Sequence, residues 1–139
     1  MENQYKLIDK NYYRVLLSQA GDKPMILKGR FKRVWNYHVT FTTVRPYIEG
    51  IHTKTICSHI NILKSEVEKQ IEIEKLLKNR IYFIIAYCKE YHDGSGRVGI
   101  SLASDIVEKA LFIGEEKRLY LTDKLIDMCY SFNVEDFKR

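Results

Sequence analysis

Residues 25–62, MILKGRFKRVWNYHVTFTTVRPYIEGIHTKTICSHINI, decide how the fold of this chain is read. They form three extended segments. In the first, Lys28, Arg30, Lys32 and Val34 alternate with Leu27, Gly29, Phe31 and Arg33, and Gly29 permits a bend or bulge. In the second, Val39, Phe41 and Thr43 share one side while His38, Thr40, Thr42 and Val44 share the other, with the β-branched and aromatic content of a strand. Arg45-Pro46 breaks the ladder and Glu49-Gly50 supplies a turn. A third strand then runs over about residues 53–62, with Ile56, Ile60 and Ile62 in the core.

Outward from that block, residues 64–78 (KSEVEKQIEIEKLLK) predict a helix. Ser65 followed by Glu68 has the spacing of a capping box, and Leu63, Val67, Ile71 and Leu77 form the apolar stripe. Residues 80–103 (RIYFIIAYCKEYHDGSGRVGISLA) predict a closing hairpin. Ile81, Phe83 and Ile85 alternate with Tyr82, Ile84 and Ala86, apolar on both faces as a central strand should be. His92-Asp93-Gly94-Ser95-Gly96 is the turn, because Asp-Gly tolerates the positive φ that hairpins need, and Val98 to Leu102 returns. Three strands, a helix and two strands is the order of a five-stranded Greek-key barrel. The expected class is α+β, mainly β, with the helix between strands 3 and 4 plugging the barrel.

The flanks are less decisive. Tyr5, Ile8, Tyr12 and Leu16 fall at helical spacing while YYRVLL suits a strand, so residues 5–17 admit either. Ala20-Gly21-Asp22-Lys23-Pro24 is a turn by composition. Ser104 caps a helical region in which Ile106, Ala110 and Ile113 face one way, and Gly114 interrupts it. A further helix from about Glu115 carries Leu119, Leu121, Leu125, Ile126, Cys129 and Phe132 over a wide arc. That is more apolar surface than one barrel wall needs. The helix either packs across the N-terminal segment or offers residues 115–132 to a protein partner or a second copy. With no repeats, no low-complexity tract and two prolines, the 139 residues read as a single domain, with a barrel over 25–103 and a helical appendage over 104–139.

Net charge is +5, and it is unevenly placed. Residues 1–54 hold ten Lys or Arg against four acids, an excess of six that leaves the remainder near neutral. A basic half beside a neutral half points to an anionic partner. Cys57, Cys88 and Cys129 are far apart, odd in number and without paired metal spacing, as expected of reduced residues in a cytoplasmic protein. The N-terminal MENQYKLIDK lacks the apolar run of a signal peptide, and no stretch reaches the roughly 18 apolar residues of a membrane span.

One pattern carries recognition chemistry. Lys28, Arg30, Phe31, Lys32, Arg33, Trp35, Tyr37 and His38 interleave cations with flat rings. Single-stranded nucleic acid is held by cations that track phosphates and rings that stack on bases. The competing reading is an edge strand whose lysines discourage aggregation. In the hairpin, Arg97 is placed to reach a phosphate, although Gly94-Ser95-Gly96 reads equally as a plain turn. Cys57 and His59 share a strand face, but nothing nearby completes a metal site. No nucleophile elbow or paired-carboxylate loop is present, so no enzyme activity, metal or cofactor is expected. Gly114 could mark a helix-turn-helix over 105–132, but its second helix is too apolar to read a groove.

In the basic first strand LKGRFKRVW, the helix KSEVEKQIEIEKLLK and the paired strands RIYFIIAYCKEY and RVGISLA, residues 25–103 resemble an OB-fold domain. The style, with a glycine-led first strand and the segment CSHINI before a helix, also resembles small proteins of Gram-positive bacteria and their phages or mobile elements. The OB resemblance implies ligand binding on the face of strands 2 and 3, which offers Phe41, Thr43, Arg45, Tyr47, Thr53 and Thr55 or their opposite-facing neighbours. The expectation is a non-enzymatic accessory protein that binds single-stranded DNA or RNA with little sequence preference. Lys28, Arg30, Lys32, Arg33, Arg45 and Arg97 would neutralise phosphates, and Trp35, Tyr37, Phe41 and Tyr47 would stack. The alternative is an adaptor subunit of a replication or defence-related enzyme, anchored by its apolar C-terminal helix.

Overall fold

The structure, a computed structural model, describes residues 20–90, 98–102, 112–113 and 121–139. Its strands are β1 (Met25–Trp35), β2 (His38–Pro46), β3 (Cys57–Leu63), β4 (Ile81–Glu90), β5 (Val98–Leu102) and β6 (Phe112–Ile113). The helices are short: α1 (Lys64–Glu68), a 3-10 turn at Ile73–Lys75, α2 (Asp123–Met128) and α3 (Val134–Phe137). One antiparallel sheet runs β3-β2-β1-β4-β5, with β6 also on β4. Among the described residues no helix is long and apolar enough to cross a membrane.

The closed five-stranded barrel expected from the element order is not what forms. The sheet is open, four long strands in the order β3-β2-β1-β4 extended by two short ones. The reason lies along β4. Its first half, Ile81 to Ala86, pairs β1, whereas β5 pairs only Ala86 to Glu90 and β6 takes Phe83 and Ile84. The short last strand pairs only the C-terminal part of β4, and although it comes near β3 no ladder joins the two among the described residues.

The helix expected over 64–78 is also corrected. It stops at Glu68, begins after Leu63 rather than at Ser65, and has no side-chain cap. Five residues are too few to sustain a helix by propensity. The segment IEIEK explains the stop. Ile71 and Ile73 are both half-buried while Glu72 and Glu74 are exposed. On a helix two residues apart lie on nearly opposite sides, so only a more extended path turns both isoleucines inward. Tyr82 anchors that path, its buried hydroxyl accepting a hydrogen bond from the Leu77 amide at 2.8 Å.

Two bulges of opposite sense set which side chains reach the outside. Lys28 pairs Arg45 but Arg30 pairs Thr42, so β2 carries an extra residue there. Phe31 then pairs Phe41 while Arg33 pairs Thr40, leaving Lys32 as the extra residue on β1. The first bulge exposes Thr43 and turns Val44 into the core beside Phe41. The second turns Arg33 outward, against the simple alternation of the sequence. Gly29 is needed at the first bulge, since a Cβ there would meet Phe41 Cβ at 3.0 Å and Ile84 Cδ1 at 3.1 Å. Thr43 sits at φ 51°, a left-handed conformation that a β-branched residue resists. Thr43→Gly should therefore stabilise the fold by about 0.5–1 kcal/mol net, the relief of left-handed strain outweighing the added chain entropy. Chemical denaturation measures it, and an unchanged or lower midpoint contradicts the strain.

The core joins Leu27, Phe31, Val39, Phe41, Ile60 and Ile84 to the C-terminal residues Leu121, Leu125, Cys129, Phe132 and Phe137. Thr122 caps α2 by accepting from the Leu125 amide. Backbone bonds then pin this segment, Tyr130 N–H to the Pro24 carbonyl at 2.8 Å and Lys54 N–H to the Phe137 carbonyl at 2.8 Å. Burial pushes the Cys129 thiol up to about 11. Of the apolar residues expected to form a partner surface over 115–132, Leu121, Leu125, Cys129 and Phe132 are occupied in the core; residues 115–120 lie outside the described residues. The expected helix around Ile113 is instead the short strand β6 where it is described.

Candidate functional site

Cross-strand partners point to the same side of a sheet, so the ladders give the composition of the outer face. Reading across β1, β2 and β3, Arg30 lies beside Thr42 and His59, Arg33 beside Thr40 and Asn61, and Trp35 beside His38 and Leu63. Lys32 adds a further cation at its bulge. Part of this face forms a shallow depression of about 320 Å³ lined by Lys32, Arg33, Trp35, Thr42, His59 and Asn61, with Thr40 and Ser58.

The segment after the 3-10 turn holds this strand in place. Phe31 N–H donates to the Arg80 carbonyl at 2.9 Å, Asn79 N–H donates to the Phe31 carbonyl at 2.8 Å, and Arg30 Nη1 donates to the Asn79 carbonyl at 2.7 Å. The cations therefore project from a braced bulge. Lys32 and Arg33 have no ion pair among the described residues. Arg33 lies over the Trp35 ring at 5.8 Å, within cation–π range. Trp35 is 38% exposed, tilted against His38 at 5.5 Å, and its indole donates to Thr40 Oγ1 at 2.7 Å. The ring is thus held with part of its surface open. Tyr37 stands at the tip of the β1–β2 loop, 78% exposed. That two-residue loop turns at Asn36, φ 47°, a residue type that tolerates the left-handed region.

The site residues read from the sequence divide accordingly. Arg30, Lys32, Arg33, Trp35 and Tyr37 come together at one end of the outer face. Lys28 is half-buried further along β1, opposite Arg45. Arg45 is half-buried too, with its Nε buried and without a hydrogen-bond partner among the described residues. Neither lines the depression. Phe41 is fully buried, edge-on to Phe31 and Tyr82, and so does not stack on a ligand. Tyr47 is half-buried and packs edge-on to Phe83 at 5.3 Å, beside a different cleft bordered by Ile26, Tyr130 and Phe132. Arg97 and the hairpin turn lie outside the described residues. Sequence reasoning missed Ser58, His59 and Asn61 as lining groups, while Thr40 and Thr42 fall among the opposite-facing neighbours it left open on β2. Their signal was the polar half of two alternations, Thr40 with Thr42 on β2 and His59 with Asn61 on β3. Among the described residues no three His, Cys, Asp or Glu converge to hold a metal ion.

Fold and site together define a mainly β protein with a cationic, aromatic and hydroxyl-bearing face on an open antiparallel sheet. Compared with known proteins, the chain matches no family model, no curated protein and no solved structure.

Proposed function

We propose that this protein binds single-stranded nucleic acid, as a non-enzymatic accessory factor in the cytoplasm, on the outer face of β1, β2 and β3. The observation that carries the reading is the convergence of Lys32, Arg33 and the part-exposed Trp35 ring at one depression, with Arg30 next along the exposed side of β1 and Tyr37 exposed in the adjoining β1–β2 loop. Cations at strand spacing suit a phosphate backbone. An exposed ring beside them suits an unpaired base, with stacking worth about 1–3 kcal/mol per base. A duplex offers no free base faces, so the rings favour single strands.

Fluorescence anisotropy with a labelled single-stranded oligonucleotide at several salt concentrations tests this. Counterion release contributes a slope of roughly −0.7 per neutralised phosphate in a plot of log affinity against log salt. Engagement of the three exposed cations predicts a slope near −2. Absent or salt-insensitive binding overturns the proposal.

A further inference from the structure

Three side chains at the depression form a one-way hydrogen-bond relay. The Trp35 indole N–H, which can only donate, gives its hydrogen to Thr40 Oγ1 at 2.7 Å. The Thr40 hydroxyl passes its own hydrogen to Asn61 Oδ1 at 2.6 Å. Thr40 is 5% exposed, so its hydrogen has to find an acceptor inside the protein. Turning the Asn61 amide over would set two donors against Thr40 Oγ1 and leave that hydrogen stranded. The relay therefore decides which way the amide faces. Oδ1 is held against Thr40, and the exposed Asn61 presents its N–H pair.

The depression's strongest polar groups are then all donors: the Asn61 amide nitrogen, the Arg33 guanidinium and the Lys32 ammonium. The Thr42 hydroxyl donates to the Arg30 carbonyl at a long 3.5 Å, and Ser58 contributes a hydroxyl that accepts or donates. His59 Nδ1 lies 3.1 Å from Ser58 Oγ. None of these three discriminates as a fixed donor does. An asparagine that reads adenine does so with its oxygen and nitrogen together, and here the oxygen is engaged with Thr40.

We infer that Asn61, oriented by Trp35 and Thr40, is a specificity-determining residue that makes this depression prefer a keto base over an amino base at one position of a bound single strand. The inference rests on the nucleic-acid reading above and adds a base preference to it. Uracil and cytosine test it at position 4, where only uracil offers an acceptor, and they also differ at N3, an N–H in uracil and a bare acceptor in cytosine. They share ring size and stacking area but carry a carbonyl and an amine, respectively, at position 4.

The test compares short oligodeoxyuridylate and oligodeoxycytidylate by anisotropy on the full chain. The native protein should bind oligodeoxyuridylate roughly threefold to tenfold more tightly, the worth of about one hydrogen bond. In Asn61→Asp the inner oxygen still accepts from Thr40 while an oxygen replaces the outward nitrogen. The ratio of the two affinities should fall to one or invert, whatever the added negative charge does to both. Thr40→Val keeps the side-chain shape but removes the hydroxyl whose hydrogen fixes the amide, so the amide can turn over and the ratio should move toward one. Equal affinities in the native protein, or a ratio unchanged in Asn61→Asp, overturn the inference while salt-dependent binding leaves the nucleic-acid reading standing. No binding to either oligonucleotide overturns both.

Discussion

Replacing Phe41 by alanine should remove about 3–5 kcal/mol of folding stability, the usual cost of truncating a buried phenylalanine. The ring is fully buried, edge-on to Phe31 at 6.0 Å and to Tyr82 at 6.3 Å. Gly29 opposite has no side chain with which to fill the space. Small domains are stable by only about 5–15 kcal/mol, so the variant should sit at or beyond the edge of unfolding at ambient temperature. Phe41→Leu keeps most of the volume and should be milder, at roughly 1–2 kcal/mol. Denaturant midpoints followed by circular dichroism measure both. The leucine variant also separates packing from recognition, because the native ring does not reach the outer face. Its affinity for single strands should equal that of the native protein, and a loss of affinity in a well-folded Phe41→Leu would show that the ring does touch ligand.

The second large effect concerns the cations. The triple variant Arg30→Ala, Lys32→Ala and Arg33→Ala should lose about a hundredfold in affinity at low salt, three exposed charge contacts at roughly 1 kcal/mol each. Its salt slope should flatten by about 2. Stability should change little, since these side chains are exposed, apart from the Arg30 hydrogen bond to the Asn79 carbonyl. The comparison is a variant with Lys69, Lys75 and Lys78 changed to alanine, which removes the same charge from exposed positions after α1. That control should lose only a few-fold. Equal losses in the two variants would reduce the site to net charge and refute the face.

How much of this was legible in advance differs by element. The extended segments were clear because β-branched and aromatic residues alternate there and Glu49-Gly50 supplies a turn. The break expected at Arg45-Pro46 does not occur, since both residues pair β1 opposite Lys28 and Leu27. The third strand, expected over about residues 53–62, begins at Cys57. The central strand Ile81–Glu90 was clear from its apolar content on both faces. The helix over 64–78 failed because its charged residues and valine imitate an amphipathic pattern, while IEIEK carries period two inside it. Barrel closure failed because element order does not say where along β4 a five-residue strand will pair. The site was half legible. The interleaving of cations and rings in β1 marked one strand of it, but Phe41 and Tyr47 were placed on a ligand face by the OB-fold resemblance and are held by the core.

The sequence by itself determined the strands, the basic character of β1 and the apolar weight of the C-terminus, since each depends on neighbours a few residues apart. Only the tertiary structure decided the rest. Two bulges, each a one-residue slip between paired strands, reverse the facing of Arg33 and Val44. The relay from Trp35 through Thr40 to Asn61 spans three strands, the third separated from the second by residues 47–56. Such features depend on which backbone groups meet across the sheet, and that pairing is set by the packing of the whole core rather than by any local run of residues.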